Sequence, residues 1–226
     1  MTTRPIQWSH SSLKDFEGCH RRFHEVRVLR KYPRQETDAT LYGTEMHAAI
    51  ENYILEKADF DPRFDAYRPV VDAMLKKPGR RLPEYQMALR KDLTPCDWRD
   101  PGAWVRGVSD LTIVNDDDLS AYVVDWKSGN NKYPDRDQLV LMSLMTFKHF
   151  PHLRKVRSAL IFLVKGTLVK MQMMYDQTDA FWWKYRERVA RLEAAHANNV
   201  WPPTQTPLCG WCPVTECPFY KPRKTS

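Results

Sequence analysis

The stretch VVDWKSG, Val123 to Gly129, limits the fold more than any other part of the chain. Its apolar residues read as a buried strand, yet Asp125 and Lys127 stand two positions apart within it. A strand alternates faces with period two, so both charged side chains point to the same face. Aspartate and lysine are disfavoured in strand interiors and are almost never buried without a partner. The partners of this pair have to come from elsewhere in the sequence.

A hairpin supplies the first. Residues 104–114 and 119–127 are strand candidates on either side of NDDD, a strong turn signal. With the turn centred between Asp117 and Asp118, Asp110 falls opposite Asp125. Directly opposed like charges are destabilising. A raised pKa on one carboxyl group, or a bound cation, relieves the conflict. Magnesium takes oxygen ligands and often binds through one or two carboxylates. Lys127 could orient a water or stabilise charge on a phosphate. The alternative is a surface Asp110 and a simple strand ion pair between Asp125 and Lys127.

Helical periodicity predicts helices over 9–30, 41–57, 66–77, 135–150 and 178–197. Pro69 fits the first turn of the third. Further strands are predicted over 84–92, 156–164 and 167–175. Helices come first, then strands, then a mixed half, the order expected of an α/β chain built around one sheet. The 226 residues, 42% hydrophobic, suffice for a single large domain with a substantial core. Its expected parts are a helical segment 1–80, a core 81–198 and a cysteine-rich segment 199–226. No apolar run reaches the roughly 18 residues of a membrane helix, and MTTRPIQWSH lacks the apolar segment of a signal peptide. A cytoplasmic, reducing compartment is the expectation.

Charge and cysteines point further. The formal net charge is +7, with basic runs at HRRF, KKPGRR, WKYRERVAR and KPRK. Such an excess suits a polyanionic partner, or an ordinary solvated surface. Cys209, Cys212 and Cys217 form CGWCPVTEC, and Cys19 lies far away on the first predicted helix. Four such thiols suit an iron–sulfur cluster or a structural zinc. His20 and His24 are either neighbours able to enter a zinc site or surface residues. Cys96 has no partner by this arithmetic and reads as a plain thiol.

SHSSLKDFEGC (9–19), GTEMH (43–47), GVSD (107–110), VVDWKSG (123–129) and DRDQL (135–139), in this order, together resemble the motifs of the PD-(D/E)XK nuclease superfamily, and within it the RecB-like branch. GVSD (107–110) and VVDWKSG (123–129) look like its two central motifs. GTEMH supplies the branch's Gly-x-x-x-His with Gly43 and His47, and SHSSLKDFEGC (9–19) resembles its opening pattern. Gln138 in DRDQL stands where the branch has a glutamine after the catalytic lysine. The tyrosine usual four residues later is Met142 here, which cannot donate a hydrogen bond to phosphate.

The resemblance implies a restriction-endonuclease-like core, a mixed central sheet flanked by helices. It implies that His47, Asp110 and Asp125 bind Mg2+ or Mn2+, together with a backbone carbonyl near Trp126. Lys127 would position the attacking water and Gln138 would sit at the substrate strand. The ion would polarise the phosphate and help activate that water. Glu84 is an extra acidic candidate, although a strand-end surface role is the plainer reading. One N-terminal and three C-terminal cysteines resemble the iron–sulfur staple of CRISPR-associated and AddAB-type nucleases. That favours a 4Fe–4S cluster on Cys19, Cys209, Cys212 and Cys217 over zinc.

The implied activity is that of a metal-dependent DNA nuclease, first an exonuclease on single-stranded DNA or DNA ends, in recombination, repair or CRISPR-type processing. Alternatives are a non-catalytic nucleic-acid-binding or assembly subunit, and an endonuclease or junction resolvase. No Gly-x-x-x-x-Gly-Lys-Ser/Thr loop is present, so any helicase or recombination partner would be a separate protein.

Overall fold

The computed structural model describes residues 6–33, 36–129 and 134–222. The signal-peptide reading of the first ten residues and the KPRK run therefore fall partly outside the described residues. The chain divides into two compact units, one of residues 36–182 and one of 1–35 with 183–226.

The first unit is built on a five-stranded mixed sheet. Its strands are β1 (Arg80–Leu89), β2 (Val105–Asn115), β3 (Ser120–Lys127), β4 (Lys155–Phe162) and β5 (Thr167–Met174), in spatial order β1-β2-β3-β4-β5. Only β3 and β4 run parallel; the other neighbours are antiparallel. A parallel pair needs a long crossover. The crossover here contains α5 (Arg136–His149), capped by Asp135, whose carboxylate accepts the Asp137 N–H at 3.2 Å. This arrangement, a mixed sheet flanked by helices, is the α/β core expected from the sequence.

Two helices precede the sheet, α3 (Asp38–Ile54) and α4 (Arg68–Leu75), the latter with Pro69 in its first turn. Thr37 caps α3 through a reciprocal bond pair with Thr40. Met46 and Ile50 of α3 and Val71 of α4 join Leu111, Ile113, Val124 and Trp126 in one buried cluster. Thus the even residues of β3 face α3, and Asp125 faces away from it.

β1 begins four residues earlier than predicted and includes Pro83. Arg80–Arg81 and a proline carry no strand signal of their own. Pairing with β2 makes the strand, and Pro83 is tolerated because β1 is an edge.

The second unit joins the two ends of the chain. The single helix predicted over 9–30 is interrupted. α1 (His10–Gly18) stops at Cys19, whose extended backbone separates it from α2 (His20–Phe23) and a π-helical turn, His24–Val28. The thiol of Cys19 caps the new start, accepting the Arg22 N–H at 3.5 Å. α6 (Thr178–Asn198) contributes its C-terminal part. Arg188 pairs with Glu17 at 2.6 Å, and Tyr185 stacks on Trp8 at 5.7 Å. Among the described residues no helix is long and apolar enough to cross a membrane.

Candidate active site

The β2–β3 hairpin has the register expected from its turn, with Leu111 opposite Val124. Regular pairing stops there, one step short of Asp110 and Asp125. Instead, Asp110 accepts the Trp126 N–H on Oδ2 at 2.5 Å. The β1–β2 ladder has its gap at the same place. Pro83 pairs with Leu111 and Tyr85 with Ser109, while Glu84, opposite Asp110, has φ +46°. A left-handed conformation is costly for a non-glycine residue, and such strain concentrates at functional sites.

β2 bends here as well. Ser109 and Thr112 hydrogen-bond through their hydroxyls at 2.7 Å although they are three residues apart, which strict alternation would forbid. The irregularity re-aims the side chains, as bulges beside active sites do. Glu84, Asp110 and Asp125 thus occupy one row across β1, β2 and β3.

Helix α3 brings His47 to this row. A Cβ on Gly43 would stand 3.0 Å from Ser128 Oγ, just past the end of β3, so glycine lets the helix come close. One turn later His47 Nδ1 lies 3.4 Å from Asp110 Oδ1. This is the physical sense of the Gly-x-x-x-His spacing. His47, Glu84 and Asp110 each offer a ligand atom within 4.8 Å of the others. That donor set of two carboxylates and an imidazole suits a divalent cation.

Asp125 stands beside this trio rather than within it. It is 5% exposed, and Lys127 Nζ lies 2.6 Å from its Oδ2. The same-face pair inferred from the sequence is therefore formed. Apart from this ion pair, Oδ2 has no hydrogen-bond partner among the described residues and can accept more. Gln138, from the first turn of α5, donates through Nε2 to Asp125 Oδ1. In this arrangement Gln138 orients Asp125. Met142, one turn on, is buried.

The electrostatics describe a site short of positive charge. Burial, and then the Asp110 charge, push the Glu84 carboxyl up to about 7. The same two causes push Asp125 up to about 6, against the pull of Lys127 and His47. Burial works against protonation of His47, but its bond to Asp110 prevails and raises its pKa. Between the ordinary carboxylate range and pH 7 the native state therefore holds more protons than the unfolded one, so metal-free stability falls as pH rises through that window. A bound cation must displace these protons, so its affinity rises over the same range. Glu84→Gln in EDTA is expected to raise Tm at pH 8 by about 2–5 °C. At pH 5, where Glu84 is already neutral, it should change little. A lower Tm at pH 8 would show that this carboxylate is not under charge strain.

In the second unit, Cys19, Cys209, Cys212 and Cys217 are free thiols lining one cavity of about 570 Å³, rimmed by Lys14, Arg21 and Arg22. Cys19 Sγ also accepts the Thr204 N–H at 3.4 Å, and Cys209 Sγ accepts that of Thr206 at 3.3 Å. His20 and His24 are engaged elsewhere, stacked on Phe16 at 3.9 Å and on Trp201 at 4.7 Å.

The residue whose place was least legible is Glu84. Its role depends on the β1–β2 register and on a backbone turn that no local pattern announces. The one available signal was an acidic residue behind a proline at a strand start.

Comparison with known proteins agrees with this construction. The model of the PD-(D/E)XK nuclease superfamily matches residues 7–217. A crystal structure of a candidate exonuclease from Eubacterium rectale is similar in fold. It has TM-score 0.58 and 11% identity, covering 96% of this chain and 91% of its own. The solved structure of SSO0001 is a looser likeness, with TM-score 0.41 and 13% identity over 98% of this chain and 89% of its own. No curated protein matches the sequence. With the family match running through every strand of the sheet and the acidic row, the chain belongs to the PD-(D/E)XK nuclease superfamily, the metal-dependent nucleases.

Proposed function

We propose that the protein is a Mg2+- or Mn2+-dependent deoxyribonuclease, acting as an exonuclease on single-stranded DNA or DNA ends. The observation that carries this reading is the row Glu84–Asp110–Asp125 at the break in the sheet, with His47 above it and Lys127 beside it. Two of its carboxyl groups have raised pKa values, so the residues present fit a divalent cation better than they fit one another.

His47, Glu84 and Asp110 would hold the ion, with Asp125 Oδ2 as a further ligand. The bound ion supplies Lewis-acid polarisation of the phosphate and a nucleophilic water at neutral pH. The chain's own groups do the rest. Lys127, held against Asp125, places an ammonium beside the reacting phosphate to stabilise developing charge. Gln138 fixes the orientation of Asp125. Burial of Asp125 and Trp126 keeps bulk water from beneath the reacting group.

The four-cysteine cavity would hold a 4Fe–4S cluster. Four free thiols face one space, and backbone N–H groups already point at two of the sulfurs. Between a single zinc and a cluster, the pattern of one N-terminal and three C-terminal cysteines, like that of the iron–sulfur staple of RecB-like nucleases, favours the cluster. Its role is a staple joining residue 19 to residues 209–217, not redox chemistry.

Anaerobically purified protein tests the reading on end-labelled DNA. Cleavage with Mg2+ or Mn2+, none in EDTA, and progressive shortening from an end are expected. Retained DNA binding without cleavage in either metal would favour a non-catalytic binding subunit instead.

A further inference from the structure

β2 carries another feature beyond its bend. Gly107 lies against α5, its Cβ position 3.1 Å from Met145 Sδ. Met87, its partner on β1, is contacted from α5 by Thr146 Oγ1 at 3.8 Å. Position 107 therefore faces α5. Arg106, Val108 and Asp110 alternate onto the other face, where His47 meets Asp110. Their opposite numbers on β1 are Ala88 and Gln86, and then Glu84 in the gap. Gln86 is exposed and Val108 half-buried. Between Arg106 and the acidic row there is thus a strip of sheet without an acidic side chain. Arg106 stands four residues from Asp110, about 13 Å along the strand.

The guanidinium of Arg106 is oriented by its neighbours and makes no direct ion pair among the described residues, although it acts on the Asp100 carboxylate through space. It lies over the Trp98 ring, 5.4 Å from the centroid, and Nη2 donates to the Asp100 carbonyl oxygen at 3.3 Å. The carboxylate of Asp100 is taken by Arg90 and by the Gly102 N–H at 2.7 Å. Arg106 Nε is buried without a hydrogen-bond partner. A guanidinium has five donors in a rigid fork that matches phosphate. Here the ring and the carbonyl fix the fork, and because Asp100 is paired directly with Arg90 and offsets Arg106 only through space, donors of the fork remain available to an anion.

We propose that Arg106, held by Trp98 and the Asp100 carbonyl, is a phosphate-binding subsite that grips the substrate strand a few nucleotides from the acidic row. This rests on the nuclease reading above. The phosphate is either an internal phosphodiester or a terminal phosphomonoester. In both cases the contact sets the register of the strand along β2 and contributes to binding of the whole substrate rather than to bond cleavage.

The test uses Arg106→Gln and Arg106→Lys in the full chain, with single-stranded oligonucleotides bearing or lacking a terminal phosphate. Arg106→Gln is expected to raise KM about tenfold at nearly unchanged kcat. It should also lower the salt dependence of binding by about one phosphate contact. Arg106→Lys should restore part of the loss, and both variants should melt near the wild type. A penalty confined to phosphorylated ends assigns the subsite to the phosphomonoester; a penalty on both substrates assigns it to an internal phosphodiester. Unchanged KM and salt slope in Arg106→Gln would overturn the proposal. If the wild type cleaves nothing with either metal, the nuclease reading fails by itself. Anisotropy with the same oligonucleotides then decides on Arg106: about tenfold weaker binding supports the subsite, and equal binding overturns it.

Discussion

Asp125→Asn is expected to lower metal-dependent cleavage by about 10³-fold, the scale lost when a positioned charge stabiliser is removed. The substitution is nearly isosteric. An asparagine Oδ1 can still accept from Gln138, and the half-exposed Lys127 can turn to solvent when its counter-charge is gone. What disappears is a negative oxygen beside His47, Glu84 and Asp110. The fold should not suffer. Burial and the Asp110 charge raise the pKa of Asp125 to about 6, so above that pH the metal-free native state carries the cost of an ionised carboxylate. Relieving that cost should leave Tm in EDTA at pH 8 equal to the wild type or higher. The proposed cysteine-bound cluster should also be unaffected. Thermal melts, absorption spectra and initial rates check the three parts together. A variant that keeps wild-type activity would remove Asp125 from the chemistry.

Cys19→Ser has the second large expected effect, on stability. The proposed staple would join residue 19 to residues 209–217, closing nearly the whole sequence into a loop. Long closures give the largest entropic stabilisation in theory. Losing one of four ligands should release iron and lower Tm by about 10 °C, given that 1 kcal/mol moves Tm of a domain this size by about 2–4 °C. DNA binding should fall with it. Cys96→Ser, outside the cavity, should change neither iron content nor Tm. A Cys19→Ser protein with full iron and an unchanged Tm would refute the staple.

Much of this architecture could be read directly from the sequence, for identifiable reasons. Period-two alternation around NDDD gave the β2–β3 register, because a short turn leaves few ways to pair its strands. The same alternation put Asp125 and Lys127 on one face, where they meet. Gly43 and His47 were legible only through their resemblance to the Gly-x-x-x-His motif; the close approach of the helix at Gly43 that explains the spacing is visible in the fold alone. Non-local features were not legible. Pairing with β2 creates the first half of β1, and the turned backbone of Glu84 has no sequence signature. The break at Cys19 was hidden because Leu13, Phe16 and Phe23 keep an apolar face across it. Arg106 reads as one cation among many until its strand face and Trp98 are known.

The most direct test of the acidic row is a parallel assay of the wild type and Asp110→Asn on end-labelled linear and covalently closed single-stranded DNA, with Mg2+, Mn2+ or EDTA. The expected result is stepwise shortening of linear DNA by the wild type in either metal, intact circles, and no products in EDTA or with Asp110→Asn. Cleavage that persists in EDTA, or in the Asp110→Asn protein, would contradict a metal centre built on this row.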